Sequence, residues 1–164
     1  VVQSLGGTVA MEFGPTHLRT VGGLEAGTYR RLGPVPGAMF VAYRPETAGD
    51  SGAVHSGVSA SDRPVVQAMK RAATAARRAV AAIDAGDSAA LGQAMDATFD
   101  ARASVMSLDP AHVEMIDAAR SHGASANYTG SGGAVVALAA NPDVAHRAEE
   151  RMRDDLGCRT LRLP

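Results

Sequence analysis

The order of apolar patterns along the chain predicts an α+β domain: a ferredoxin-like split βαβ fold, with an antiparallel sheet and helices on one face. Three observations carry this. A compact apolar run, "GAMFVAY" (Gly37 to Tyr43), lies between Pro36 and Pro45 and reads as a buried strand. From Asp62 the apolar spacing changes to three and four residues and stays helical for about sixty positions. The chain then returns to strand, loop, strand, helix and strand.

Taken in order, "VVQSLGGTVAMEF" ends in a strand-like run from Thr8 to Phe13. Residues 14 to 37 are punctuated by glycine and proline and read as irregular connection, so 1–36 is set apart as a strand and loop segment from a domain at 37–164. After the Gly37 strand comes a polar loop, "RPETAGDSGAVHSGVSASD". The first helix places Val65, Val66, Met69, Ala72, Ala73, Ala76, Val80 and Ile83 on one stripe, with Asp62 as N-cap and Pro64 in the first turn. Gly86 ends it, and Asp87 or Ser88 caps a second helix through Leu91, Met95, Phe99 and Met106. A third opens at Asp109-Pro110 and carries Val113, Met115, Ile116 and Ala119 to a stop near Gly123. Strands flank "TGSGG", a fourth helix begins at Asn141-Pro142, and "CRTLRL" closes the sheet. The methionines at 69, 95, 106 and 115 read as core packing, and His112, His122 and His146 as surface or boundary residues.

Composition narrows the function classes. With 164 residues and 46% apolar content, one globular domain with a real core is expected. A net charge of -1 leaves no footprint for nucleic acid, and no basic tract points to a membrane surface. Apolar runs such as 134–140 are far below the ~20 residues that cross a bilayer, so the reading is a soluble, cytoplasmic protein with neither nucleic acid nor membrane as partner. Cys158 is the one cysteine and reads as a buried structural thiol.

The stretch "ANYTGSGGAVVAL" carries the strongest chemical signal. Gly-rich phosphate loops usually run from a strand into a helix, where free N–H groups and the helix dipole meet the anion. This loop runs into "AVVALAA", a strand-like sequence; no GKS or GKT follows, and the sole lysine, Lys70, lies within a helix. Its local reading is a hairpin turn. Yet a tight hairpin needs one or two permissive residues, and here Gly130, Ser131, Gly132 and Gly133 come in succession. Backbone stripped of side chains lets a phosphate approach, and successive N–H groups form an anion nest.

On these residues the chain resembles the GHMP kinases, the family of galacto-, homoserine, mevalonate and phosphomevalonate kinases. "GASANYTGSGGAVVAL" looks like their third conserved motif, a glycine-rich hairpin beside the nucleotide triphosphate. "VVQSLGGTVAMEF" resembles the segment after the family's catalytic aspartate. "AYRPETAGDSGAVHS" and "MDATFDARASV" resemble segments of its glucuronokinase-like sugar kinases. The match runs through nearly the whole chain in order, whereas the family's first motif and "GLGSSA"-like ATP loop do not occur in it. The resemblance therefore implies the GHMP kinase C-terminal domain at 37–164, with 1–36 left from the junction to a missing N-terminal kinase domain. It further implies an apolar face exposed around Val1 to Phe13, and an enzyme incomplete and inactive alone.

The implied reaction is transfer of the γ-phosphoryl of ATP to a sugar hydroxyl, with ATP and Mg2+ as cofactors of the intact enzyme only, and a sugar and ATP as its small-molecule partners. Such transfer depends on positioning and charge neutralisation. Gly130, Ser131, Gly132 and Gly133 are the candidate phosphate-adjacent loop; their plain alternative is a turn. Asp50, Ser51, His55 and Ser56 gather hydrogen-bonding groups suited to a sugar, against the alternative of a solvated loop. Arg102 could grip an anionic group such as a uronate carboxylate, against a surface ion pair. No residue of this chain is assigned a catalytic role, because the resemblance places the family's aspartate a few positions before Val1, and none a metal-ligating role, since His55 has no second His or Cys near it. Two other readings stand beside the sugar kinase: a non-catalytic ferredoxin-like ligand-binding or regulatory module, and a GHMP kinase of heptose or mevalonate type.

Overall fold

The structure is a computed structural model that describes residues 6–45, 59, 61–130 and 132–163. The first strand, β1 (Val9–Glu12), falls where the apolar run of Thr8 to Phe13 predicts it. A short 3-10 turn at Pro15–His17 leads to β2 (Arg19–Val21), β3 (Leu24–Ala26) and β4 (Thr28–Arg31). β1 pairs with β4 and β2 with β3, both antiparallel. These ribbons replace the irregular connection expected at 14–37. The missed signal is Gly22-Gly23, two residues with φ of 57° and 81° between Val21 and Leu24, a turn that only glycine adopts cheaply. Of the segment Val1 to Phe13, for which an exposed apolar face is expected, residues 1–5 lie outside the described residues; within the rest Phe13 is 62% exposed and Met11 faces outward, as does Tyr29 on β4.

β5 (Ala38–Tyr43), β6 (Ser125–Tyr128), β7 (Ala134–Ala139) and β8 (Arg159–Arg162) form one antiparallel sheet in the order β6-β7-β5-β8. The first and third of these strands are central, which is the ferredoxin-like order. Three helices join β5 to β6: α1 (Arg63–Ala85), α2 (Ser88–Ala103) and α3 (Pro110–Ser121). One, α4 (Pro142–Asp154), joins β7 to β8. Helix ends match their capping residues. The Asp87, Asp109 and Asn141 side chains accept from the N–H groups of Ala90, Ala111 and Val144, and Gly86 closes α1 at φ 68°. Asp62 sits at the N-cap of α1 but makes no side-chain capping bond.

Strand alternation sorts the core. Phe40, Ala42, Val135, Ala137 and Ala126 share one face and pack with Met115, Ile116 and Ala119 of α3 and Ala145, Ala148 and Met152 of α4. That is the helical layer the sequence predicts. The α1–α2 hairpin adds something further, because Leu138, from the opposite face, packs with Ala82 and Leu91, and Met39 joins them. Helices therefore meet both faces of the sheet, since a crossover of three helices is long enough to pass the β6 edge. The buried line of α1 is Ala68, Ala75 and Ala82 rather than the expected stripe, and Met69 is 59% exposed, not core. An alanine-rich helix offers too little contrast between its faces for the sequence to orient it. Cys158 is buried, as expected.

One polar contact ties these layers together. Asp96 Oδ1 on α2 accepts both from the backbone N–H of Ala126, at 2.9 Å on edge strand β6, and from Arg120 Nε of α3, also at 2.9 Å. The same guanidinium donates to Asp100 and lies 5.1 Å from the Phe99 ring centroid. Asp96→Ala strands a strand-edge donor and loosens the arginine. It is expected to cost about 1–3 kcal/mol in urea unfolding, against near neutrality for Asp117→Ala on the exposed side of α3.

Candidate functional site

The glycine-rich stretch forms the tip of the β6–β7 hairpin. The ladder ends at the pair Tyr128–Val135, and the Thr129 N–H donates to the Ala134 carbonyl at 3.1 Å. The turn beyond is too long for a two-residue hairpin. Gly132 at φ 143° and Gly133 at φ 78° occupy conformations that a Cβ disfavours. A Cβ on Gly132 would also stand 3.1 Å from His112 Nδ1, whereas one on Gly130 would meet open space. Two of the three described glycines are thus demanded by the backbone, and Gly130 is not.

Two helices hold the turn from either side. Arg102, in the last turn of α2, donates from Nη1 to the Gly130 carbonyl at 2.6 Å, and its guanidinium lies 5.7 Å from the Tyr128 ring centroid. His112, in the first turn of α3, accepts from the Gly133 N–H at 3.3 Å through Nδ1. Tyr128 lies between them, edge-on to both Phe99 (5.2 Å, 74°) and His112 (6.0 Å, 86°). Among the described residues, the Tyr128 hydroxyl and His112 Nε2 are buried with no partner. Burial, and then the nearby Asp109 carboxylate, push the Tyr128 phenol up to about 12, with Arg102 opposing.

The structure thus brings together Gly130, Gly132, Gly133 and Arg102, which the sequence assigned to two separate subsites. Ser131 lies outside the described residues, as do Asp50, Ser51, His55 and Ser56. His112, expected as a surface or boundary residue, is buried at 6% exposed. A signal for this exists in the sequence: 112, 115, 116 and 119 share a helical stripe whose other members are Met, Ile and Ala. Asp100 and Arg102 diverge on α2 as expected, one to Arg120 and the other to the turn. A concavity of about 520 Å³ lies between α1 and α2, with Lys70, Arg71, Arg78 and Asp100 in its lining and none of the turn residues. Among the described residues no three His, Cys, Asp or Glu side chains converge as a metal site. No helix among them is long and apolar enough to cross a membrane.

Residues 79–157 match the family model described as GHMP kinases C terminal. "Probable glucuronokinase 2" of Arabidopsis thaliana is 34% identical over 139 residues, which is 80% of this chain and 37% of the relative. "Glucuronokinase 1" of the same plant is 33% identical over 144 residues, 83% of this chain and 39% of the relative. The chain thus spans less than two fifths of the curated relatives it matches. Among solved structures, L. major mevalonate kinase in complex with R-mevalonate superposes with a TM-score of 0.71 at 19% identity, covering 88% of this chain and 47% of the other. That likeness shows the shared fold.

Two outcomes follow from the turn. Gly133→Ala is expected to destabilise the chain by about 1–2 kcal/mol, the cost of a Cβ in the left-handed region, with Gly130→Ala within about 0.5 kcal/mol of wild type; thermal melts compare them. For Tyr128 the folded state disfavours the charged form. Its contribution to stability is therefore complete below the ordinary tyrosine range near pH 10 and lost as pH rises toward about 12. Urea midpoints measured across that interval should fall less in Tyr128→Phe than in wild type.

Proposed function

We propose that this chain, whose residues 79–157 are a GHMP kinase C-terminal domain, is the C-terminal half of an ATP-dependent sugar kinase of the glucuronokinase kind. The observation that carries the reading is the glycine turn: a long hairpin tip, two of its glycines required by backbone geometry, held by an arginine and a histidine from two helices. A turn with no projecting side chains at Gly130, Gly132 and Gly133 lets a triphosphate lie against backbone. The Arg102 guanidinium behind Gly130 adds positive charge to that side of the hairpin.

In the intact enzyme ATP supplies the γ-phosphoryl group. The bond from its phosphorus to the β,γ-bridging oxygen breaks as a bond to the sugar hydroxyl oxygen forms, and the hydroxyl proton leaves to a base on the other domain. This chain's part is positioning: it walls one side of the phosphates and excludes water there. Mg2+ would be carried by the nucleotide phosphates and by groups outside this chain, since the turn offers backbone amides and a cation rather than carboxylates. Asp50, Ser51, His55 and Ser56 are the proposed sugar-facing group.

The chain alone is expected to transfer no phosphate from MgATP to glucuronate. Joined to an upstream kinase domain bearing a "GLGSSA"-like loop, it should do so, with glucuronate preferred over mevalonate. Phosphorylation of glucuronate by the 164 residues alone would overturn the half-site reading. A reading frame that starts at Val1 with no such partner encoded nearby would favour a binding module instead.

A further inference from the structure

We infer that Arg102 and His112 are positioning residues that clamp the glycine turn from opposite flanks, and that His112 does so as the neutral tautomer with its proton on Nε2. The first half rests on two contacts made by different helices to the two ends of one turn. Arg102 Nη1 donates to the carbonyl at Gly130, and the Gly133 N–H donates to His112 Nδ1. The second half is a matter of valence. An Nδ1 that accepts a hydrogen bond carries no proton, so the proton of a neutral ring sits on Nε2.

The cost of this arrangement is visible. Among the described residues Nε2 is buried without a partner, as is the Tyr128 hydroxyl, and a native fold keeps such atoms rarely. Among the described residues the imidazole's one hydrogen bond goes to the turn, a contact that Leu or Phe at this position would lack. Gly132 supports the same account, because its missing Cβ is what lets the imidazole come within reach of Gly133. Arg102 is likewise committed. Among the described residues its one side-chain hydrogen bond is to a backbone carbonyl, and its guanidinium carbon lies 5.7 Å from the Tyr128 ring centroid, so both contacts are to the hairpin. The clamp fixes the turn before any ligand arrives, which lowers the ordering cost of binding.

The link from clamp to nucleotide rests on the kinase reading, and the experiment separates the two. In the 164-residue chain labelled with 15N at histidine, long-range 1H–15N spectra at neutral pH should show His112 protonated at Nε2 and bare at Nδ1; a ring protonated at Nδ1 overturns the inference. Hydrogen exchange of Gly133 should quicken about fivefold or more in His112→Phe and stay near wild type in His112→Asn, which keeps an acceptor. Unchanged exchange of Val135 and Ala137 in both variants shows that the sheet is intact. Unaltered Gly133 exchange in His112→Phe with the sheet intact removes the clamp. In the two-domain kinase, Arg102→Gln should raise KM for MgATP more than it lowers kcat. A KM left unchanged, with exchange altered as expected, refutes the role in nucleotide binding while the clamp itself stands.

Discussion

The carboxylate of Asp96 does what a fifth strand would otherwise do. Edge strand β6 presents the N–H of Ala126 outward, and an unpaired donor there would either seek another chain or stay stranded. Asp96 Oδ1 accepts it at 2.9 Å and shares its charge with Arg120 of α3. In consequence α2 is held against the sheet edge at one chosen height. Arg102 lies six residues further along the same helix, so the reach of its guanidinium to Gly130 is inherited from that anchor. Arg120 likewise holds α3, the helix that carries His112. The geometry of the glycine turn is therefore downstream of a strand-edge contact that touches no part of the turn.

The other polar anchors work in a similar way at the far edge. Glu149 is 2% exposed on α4 and accepts from Arg162 of β8, drawing that edge strand onto its helix; the carboxylate in turn holds the Arg162 guanidinium above its ordinary value. Arg44 donates to the Leu156 carbonyl and to Glu114, joining the end of β5 to α3 and to the segment before β8. Between them the central strands need no such help, since Phe40, Val135 and Ala137 are wholly buried. The N-terminal ribbon is fastened more lightly. Its bidentate Arg30–Asp84 contact to α1 is solvent-exposed, and such pairs contribute little.

Much of the fold was legible because punctuation in this chain coincides with structure. Asp87, Gly86, Asp109 and Asn141 stand at helix ends where capping chemistry puts them, and the apolar runs at 38–43 and 134–139 are too short and too rich in β-strand formers for helices. The ribbons between 14 and 37 escaped because strands of three and four residues, exposed on most positions, carry almost no alternation to read. The orientation of α1 escaped for a different reason. Its burial is carried by Ala68, Ala75 and Ala82, and its exposed side also holds alanines. At the site, the glycines announced themselves, while His112 was hidden by treating histidine as polar when it lay on the apolar stripe of α3.

By itself the sequence determined the order of elements from β5 onward, most helix caps and the existence of a glycine turn between two strands, because these depend on residues close together along the chain. It missed β2 to β4 and carried the second helix to Met106, past its end at Ala103. Only the tertiary structure decided which side chains reach that turn. Arg102 stands 28 residues from Gly130, and His112 stands 21 from Gly133. No local pattern encodes either contact, since each depends on how α2 and α3 are seated against the sheet. That seating is settled by the strand-edge bond to Asp96 and by burial shared among Phe40, Ile116 and Met152, residues that never adjoin in sequence.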